Sequence, residues 1–145
     1  MGSAAVSIEF KGLSELVGKY QKLPEKVEMA IADGINEAAG IVEGSAKKLC
    51  PVDSGHLRET IHIMKQAAAG RDLSATVGTN VEYAPYVEFG TGVRGDATNE
   101  NTNLPLSYKM DWAGQIAQPF LAPALRNNKD KIERAIFREV IEGIK

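Results

Sequence analysis

The sequence has 145 residues, a single cysteine (Cys50), few aromatic residues and no long apolar run. One cysteine excludes an internal disulfide and a cysteine metal cluster. No stretch of about 18 apolar residues is present, and no basic region precedes an apolar one near the start, so we expect neither a transmembrane helix nor a signal peptide. We interpret Cys50 as a small apolar residue at a helix end rather than as a reactive thiol.

The sequence also lacks an excess of charge of one sign, because its formal net charge is −2. DNA-binding domains are usually basic, so we expect no specific nucleic acid as a partner. The composition, with 43% hydrophobic and 25% charged residues, is typical of a soluble globular protein. We expect one domain over residues 1–145, with residues 1–5 disordered or a cloning remnant.

Helical periodicity is the clearest pattern in the sequence. It predicts a long helix from Pro24 to Leu49, which ends because Pro51 disfavours helical geometry at Cys50. A second helix is predicted from Gln118 to the end of the chain, with irregular first turns at Asn127 and Asn128. The apolar face of this C-terminal helix contains Leu121, Leu125, Ile132, Ile136, Val140 and Ile144.

Alternating apolar and polar residues predict short strands. Strands are expected at Val6–Phe10, Glu59–Lys65 and Leu73–Gly78, and the last two form an antiparallel hairpin. A further strand is expected at Tyr108–Gly114. The predicted class is α+β, in which a small antiparallel sheet packs against the long helix and the C-terminal helix.

Two short helices complete the predicted elements. One is amphipathic and covers Leu13–Tyr20. The other has Pro85 in its first turn, a position where proline is tolerated. Its side chains Tyr86, Val87 and Phe89 are expected to point inward.

The segment EFGTGVRGD, from Glu88 to Asp96, contains two short motifs that are each associated with a function in other proteins. Gly90, Gly92 and Gly95 match the dinucleotide pattern G-x-G-x-x-G, but no helical periodicity follows them, so the context contradicts that function. Arg94-Gly95-Asp96 is an adhesion tripeptide, but nothing else suggests an extracellular role. We interpret residues 92–107 as a mobile loop that orders against a partner.

Residue arrangements typical of enzymes are missing. His56 and His62 do not have the spacing of a helical zinc site. Asp53, Ser54 and His56 are too close in sequence to indicate a catalytic triad. Glu88 is open to two interpretations, a general acid or an ion pair with Arg58, and we favour the ion pair. No catalytic, cofactor-binding or metal-binding residue is predicted.

Three stretches occur in a recognisable order: PVDSGHLRETI at 51–61, VEYAPYVEFGTG at 81–92 and QPFLAPAL at 118–125. Together they resemble the tail-component family of lambda-like, long-tailed bacteriophages and prophages. The motif residues that the resemblance carries onto this chain are Asp53, Gly55, Leu57, Arg58, Tyr83, Glu88, Phe89, Gly90, Thr91, Pro119 and Phe120. The variable segment after the second stretch is the expected assembly loop, with Arg94, Asp96, Asn99, Asn101 and Asn103.

The resemblance implies a non-enzymatic structural protein of the phage tail or neck that acts in tail completion or head–tail joining. It implies partners among other tail and neck proteins, a homo-oligomeric ring on assembly, and a place in the virion after assembly in the bacterial host cytoplasm. We expect no cofactor and no contact with a membrane.

Two structural hypotheses and two other functions remain open. Tyr83, Tyr86, Phe89 and Phe120 are expected to form an aromatic cluster at the base of the loop, and Asp53 and Arg58 to hold the turn after the long helix. One alternative is a small metal-dependent hydrolase or nuclease of phage morphogenesis that uses Asp53 or Glu88. The other is a nucleic-acid-binding module at the genome passage, against which the acidic balance speaks.

Overall fold

The computed structural model describes residues 5–9, 24–52, 55–99 and 106–143. The helix predicted at Leu13–Tyr20 lies outside these residues, as do Asp53, Ser54, Asn101, Asn103 and Ile144. In chain order, the described elements are β1 (Ala5–Glu9), α1 (Glu25–Leu49), α2 (His56–Thr60), β2 (His62–Lys65), β3 (Ser74–Gly78), α3 (Ala84–Phe89), α4 (Gly92–Thr98), α5 (Leu121–Arg126) and α6 (Lys129–Gly143).

Helix α1 is the longest described element and the centre of the fold. Glu25 and Glu28 lie in its first turn and Lys47 and Lys48 in its last, which is the charge order that favours a helix dipole. Its inward face contributes Ile31, Ala32, Ile35, Ala38, Ala39, Val42 and Ala46 to the hydrophobic core. Backbone at Cys50 is extended, so the helix ends where Pro51 requires it to end. The predicted helix is confirmed.

The described strands form an antiparallel sheet in the order β1-β3-β2. Strand β3 is central, with Ile8 of β1 opposite Ala75 and Ile63 of β2 opposite Val77. Together with α1 and the C-terminal helix, this sheet confirms the predicted α+β class and the predicted hairpin. Strand β1 covers Ala5–Glu9 and begins one residue earlier than predicted, while the predicted last residue, Phe10, lies outside the described residues.

Two of the strand predictions are wrong in part or in whole. Glu59 and Thr60 belong to the helical turn α2, because Gly55 adopts a left-handed conformation (φ 83°) and its carbonyl accepts the amide N–H of Glu59. Residues 108–114 form no strand either. The described backbone there is irregular, and an isolated bridge joins the next residue, Gln115, to Thr91.

Three polar side chains of α1 hold the β2–β3 hairpin. Asn36 donates from Nδ2 to the carbonyl of Ala67 (2.9 Å), and its Oδ1 accepts the amide of Ala67 (2.7 Å). Glu43 accepts the amide of Ile63 (3.1 Å), and Glu28 accepts that of Gly70 (3.0 Å). Backbone donors at both ends of the hairpin thereby gain partners, which fixes the hairpin against the helix.

The sequence predicts one C-terminal helix from Gln118, with irregular first turns at Asn127 and Asn128. In the structure it begins at Leu121 and is divided at these two asparagines into α5 and α6. Asn128 is buried and donates from Nδ2 to the carbonyl of Ala124 (2.6 Å). Helix α6 packs along α1 through Ile132, Ala135 and Ile136. Contact is close at Gly34, where an added Cβ would lie 2.6 Å from Cα of Ile136.

Helices α3 and α4 correct two further expectations. Helix α3 has Pro85 in its first turn as predicted, but its buried side chains are Ala84 and Glu88, whereas Tyr86 is exposed. Gly92–Thr98, expected to be part of an irregular loop, forms α4. None of the described helices has both the length and the apolar character needed to cross a membrane.

Candidate functional site

Glu88 connects the second sequence block to the third. Its side chain is 4% exposed and lies at the N-terminus of α5. Oε2 accepts the backbone N–H groups of Phe120 (2.8 Å) and Leu121 (3.0 Å), and Oε1 accepts that of Ala122 (3.0 Å). The first amides of a helix have no partner within the helix, so a carboxylate at this position satisfies three donors at once.

These bonds argue against both sequence-based interpretations of Glu88. Both carboxylate oxygens accept backbone amides from a buried position, which leaves Glu88 poorly placed to act as a general acid. The predicted ion pair with Arg58 is also wrong. Arg58 instead donates from Nε to the carbonyl of Lys47 in the last turn of α1 (2.9 Å). Carbonyls at a helix end lack intrahelical partners, and a nearby cation satisfies one of them.

The first sequence block packs beside these contacts. Leu57 is buried, and Thr60 shares a hydrogen bond with the fully buried Thr79 (2.8 Å between the two hydroxyl oxygens). Cys50 is 3% exposed, and burial raises the pKa of its thiol. The structure thus places Cys50 at the end of a helix with its side chain in the core, as expected for a structural residue.

The predicted aromatic cluster does not form. Phe120 is fully buried, but Tyr83 and Tyr86 are each 44% exposed. Phe89 is half-buried, and its backbone carbonyl accepts the hydroxyl of Tyr108 (2.8 Å). Partial burial raises the pKa of Tyr108, so the phenol stays protonated and able to donate this bond.

The glycines of the dinucleotide pattern face the chain's own backbone. A Cβ added at Gly90 would lie 2.6 Å from Cα of Gly95. Gly114 is not part of the pattern but lies against it, because a Cβ added there would overlap the carbonyl oxygen of Thr91. The amides of Val93 and Arg94, at the start of α4, donate to the carbonyls of Trp112 and Ala113. This crossing of two backbone segments fills the space that a phosphate would need in a dinucleotide site.

A groove opens beside this crossing, and its volume is about 960 Å³. Its walls are the sheet edge at residues 5–7, helices α3 and α5, and the segment 106–112. The lining is mainly apolar, with Tyr86, Phe89, Leu106, Trp112, Leu121 and Leu125 among its side chains. Lys109 and Arg126 are its basic residues, and the acidic Glu88 is engaged by the three amides.

Large apolar side chains are exposed in and around this groove. Trp112 lines the groove and is 53% exposed, and its near neighbours in the chain, Met110 and Ile116, are 58% and 51% exposed. Exposed aromatic and apolar side chains that form a continuous surface usually mark a site of protein–protein contact. We call the groove and these surrounding side chains the groove surface.

Sequence reasoning named residues near the groove surface but missed most of the residues that form it. Arg94 and Asp96 are exposed on α4, and Asn99 follows directly after that helix. Asn101 and Asn103 lie outside the described residues. Trp112, Lys109 and Arg126 were not predicted, although a lone tryptophan in the polar stretch YKMDWAG could have indicated an exposed anchor.

The comparison with protein families locates the chain among known proteins. Residues 14–90, just over half of the chain, match the family described as "Bacteriophage HK97-gp10, putative tail-component". The chain belongs to this family. No curated protein and no solved structure matches it.

Membership of a phage tail-component family points to a structural role and implies interaction with other phage tail proteins. The family match covers the first block and most of the second, whereas the third block lies beyond it. Glu88 joins the matched part to the third block through its three hydrogen bonds. Within the described part of the chain, no group of three or more His, Cys, Asp or Glu side chains is arranged to hold a metal ion.

Proposed function

We propose that this tail component acts in tail completion or head–tail joining, through contacts that the groove surface makes with neighbouring virion subunits. The observation that carries the proposal is the exposed apolar surface around Trp112. The backbone amides that donate to Glu88 and the backbone crossing at Thr91 and Gly114 support this surface. A rigid base lowers the entropy cost of binding, which favours a surface built for recognition.

The motif residues serve mainly as the scaffold of this surface. Gly55, Leu57 and Arg58 support the end of α1, while Glu88, Pro119 and Phe120 support the start of α5. Exposed Arg94 and Asp96 of α4 add polar contacts beside the apolar surface. In the assembled virion, copies of the chain form a ring, since a repeated head-to-tail contact closes when its rotation permits.

The two other functions receive less support from the described residues. A metal-dependent hydrolase would need free carboxylates, but both oxygens of Glu88 are used by backbone amides. A nucleic-acid-binding module would need clustered cations, whereas the groove surface is mainly apolar. Assembly therefore remains the function that we propose.

Electron microscopy of particles made without the protein tests this function. We expect DNA-filled heads with unattached or aberrant tails. The double variant Tyr86→Ala/Trp112→Ala should reproduce this phenotype, because both side chains are exposed and their loss leaves the core intact. Met29→Ala, which removes an equally exposed side chain on α1 (53%), is the matched control and should give normal particles. Complete, infectious particles in the absence of the protein would refute the proposal.

A further inference from the structure

Helix α6 has an exposed apolar ridge on the side that faces away from α1. Phe137 is 69% exposed, more than any other large apolar side chain in the described residues, and Ile141, one turn later, is 44% exposed. Residues three or four apart lie on one face of a helix, so these two side chains form a continuous protrusion. The face that packs on α1 is separate and contains Ile132, Ala135 and Ile136.

This ridge has no role in the described core. Neither side chain belongs to the hydrophobic core, and a single exposed apolar residue would need no explanation. Two exposed apolar side chains on successive turns of an otherwise charged helix do need an explanation, because such a protrusion resembles the anchors that fill a partner's pocket. Asp130 and Glu133 lie beside the ridge, in the first half of the helix.

The groove and the ridge are complementary in shape and in charge. The groove is concave and apolar and carries Lys109 and Arg126, while the ridge is exposed and apolar and has more acidic than basic neighbours on its helix. These neighbours are Asp130, Glu133, Glu142, Arg134 and Arg138, and Arg138 forms an ion pair with Glu37 of α1. No residue belongs to both surfaces, so one copy can use both at the same time. Complementary potentials of this kind favour a correct encounter and disfavour wrong partners.

Pairing of two ridges with each other is less favourable. Residues 130, 134, 138 and 142 follow one row of the helix and read Asp, Arg, Arg, Glu. An antiparallel copy centred on this row would place Asp130 opposite Glu142 at both ends, and like charges repel. Arg134 would face Arg138, which is already paired with Glu37 and adds little to the repulsion. The ridge therefore suits a different surface better than it suits itself.

We propose that the Phe137–Ile141 ridge of one copy inserts into the groove of the next copy, so that the chains associate head to tail. This inference rests on the proposed assembly function and specifies which two surfaces meet. Phe137 fills the apolar groove beside Trp112, and Asp130 and Glu133 approach Lys109 and Arg126. A contact between two different surfaces is heterologous, and it yields a ring when the rotation between copies closes.

Disulfide cross-linking between two variants that each gain one cysteine tests the proposal directly. Arg134→Cys beside the ridge and Ser107→Cys in the groove replace exposed side chains and leave Phe137 and Trp112 in place, and the native thiol of Cys50 is buried. When the two purified variants are mixed under mild oxidation, we expect a cross-linked heterodimer. The matched control mixes Arg134→Cys with Lys48→Cys, which places the second thiol at an exposed position on α1. Cross-linking no faster than this control would overturn the proposal, as would preferential cross-linking of Arg134→Cys with itself.

Sedimentation velocity over a range of concentrations supplies a second, independent measurement. Phe137→Ala should weaken self-association at least about five-fold, as the loss of a central apolar anchor does. Lys109→Glu and Glu133→Lys should each weaken it by about two- to five-fold, and their combination in one chain should restore it, because the charges then pair again with opposite signs. Additive weakening in the double variant would overturn the proposed pairing of charges.

The two proposals fail in different ways. If Phe137→Ala loses self-association and particles still complete their tails, contact between copies is dispensable and the tail function stands. If particles are normal without the protein, the assembly function itself is refuted. If association persists undiminished in Phe137→Ala, the ridge is not the contact.

Discussion

Replacement of Glu88 by alanine tests the central physical claim about this fold. The change removes a carboxylate that accepts three backbone amides at the start of α5, at 2.8, 3.0 and 3.0 Å. Two of these amides belong to Phe120 and Leu121, which are almost fully buried, and water cannot easily replace the lost acceptor there. The third, from the partly buried Ala122, can be solvated more readily.

The expected cost follows from these burial differences. A buried donor without a partner costs about 1–3 kcal/mol, and loss of the negative charge at the helix N-terminus adds a smaller amount. We expect Glu88→Ala to lower the free energy of unfolding by about 3–5 kcal/mol, once partial solvation of Ala122 is allowed for. A domain is usually stable by only about 5–15 kcal/mol, so this change should bring the protein close to unfolding.

Glu88→Gln provides a graded comparison. Its single amide oxygen can keep the bonds to Phe120 and Leu121, but its NH₂ group would face the amide of Ala122, and two donors cannot bond. The expected loss is about 2 kcal/mol, because one charge-assisted bond is lost and the other two weaken.

Urea denaturation followed by circular dichroism measures all of these changes. The midpoint should shift while the slope stays constant, since the surface exposed on unfolding is similar. Glu82→Ala is the control, because Glu82 is an exposed acid just before α3. If Glu88→Ala costs no more than this control, about 0.5 kcal/mol or less, then the carboxylate does not hold α5 and the argument is refuted.

Two further predictions concern the core. Gly34→Ala should destabilise the protein by about 1–2 kcal/mol, because the new Cβ would meet the backbone of Ile136. Gly40 has open space around it, so Gly40→Ala should stabilise α1 by up to about 1 kcal/mol. Thermal unfolding of both variants measures these changes, and a stabilising Gly34→Ala would contradict the close packing. The thiol of Cys50 should react with a thiol reagent only as fast as the protein opens. Burial raises the pKa of this thiol, so the contribution of Cys50 to the free energy of unfolding should be full below the ordinary thiol pKa and should decline as the pH rises through the raised value. Labelling kinetics and urea midpoints compared across alkaline pH with those of Cys50→Ala measure this, and rapid labelling of the native protein would contradict the burial.

Periodicity was sufficient to predict the elements whose burial is repetitive. Helix α1, the C-terminal helical region and the β2–β3 hairpin all have patterns that extend over several turns or residues. Irregular turns were expected at Asn127 and Asn128, but not the two separate helices α5 and α6. Packing decides the outcome in such elements, and an apolar face is visible in the sequence before its partner is known. The same reasoning failed for Glu59 and Thr60, where the left-handed backbone at Gly55 starts a helical turn.

The polar contacts could not be predicted in the same way. Glu88 finds its partners 32 to 34 residues later, and Asn36 meets Ala67 across 31 residues. Nothing local distinguishes a glutamate that accepts three amides from one that pairs with Arg58. Helix α4 was missed for a similar reason, because its first amides are satisfied by the carbonyls of Trp112 and Ala113, far away in the sequence.

The short joint between α5 and α6 has a geometric consequence. Helix α5 forms a wall of the groove, α6 bears the ridge, and Asn127 and Asn128 alone separate them. In a head-to-tail chain of copies, the orientation of these two helices would set how far each subunit turns relative to the one before it. The side-chain bond from Asn128 to Ala124 would then help to determine the curvature of the assembly, and hence how many subunits complete a circle.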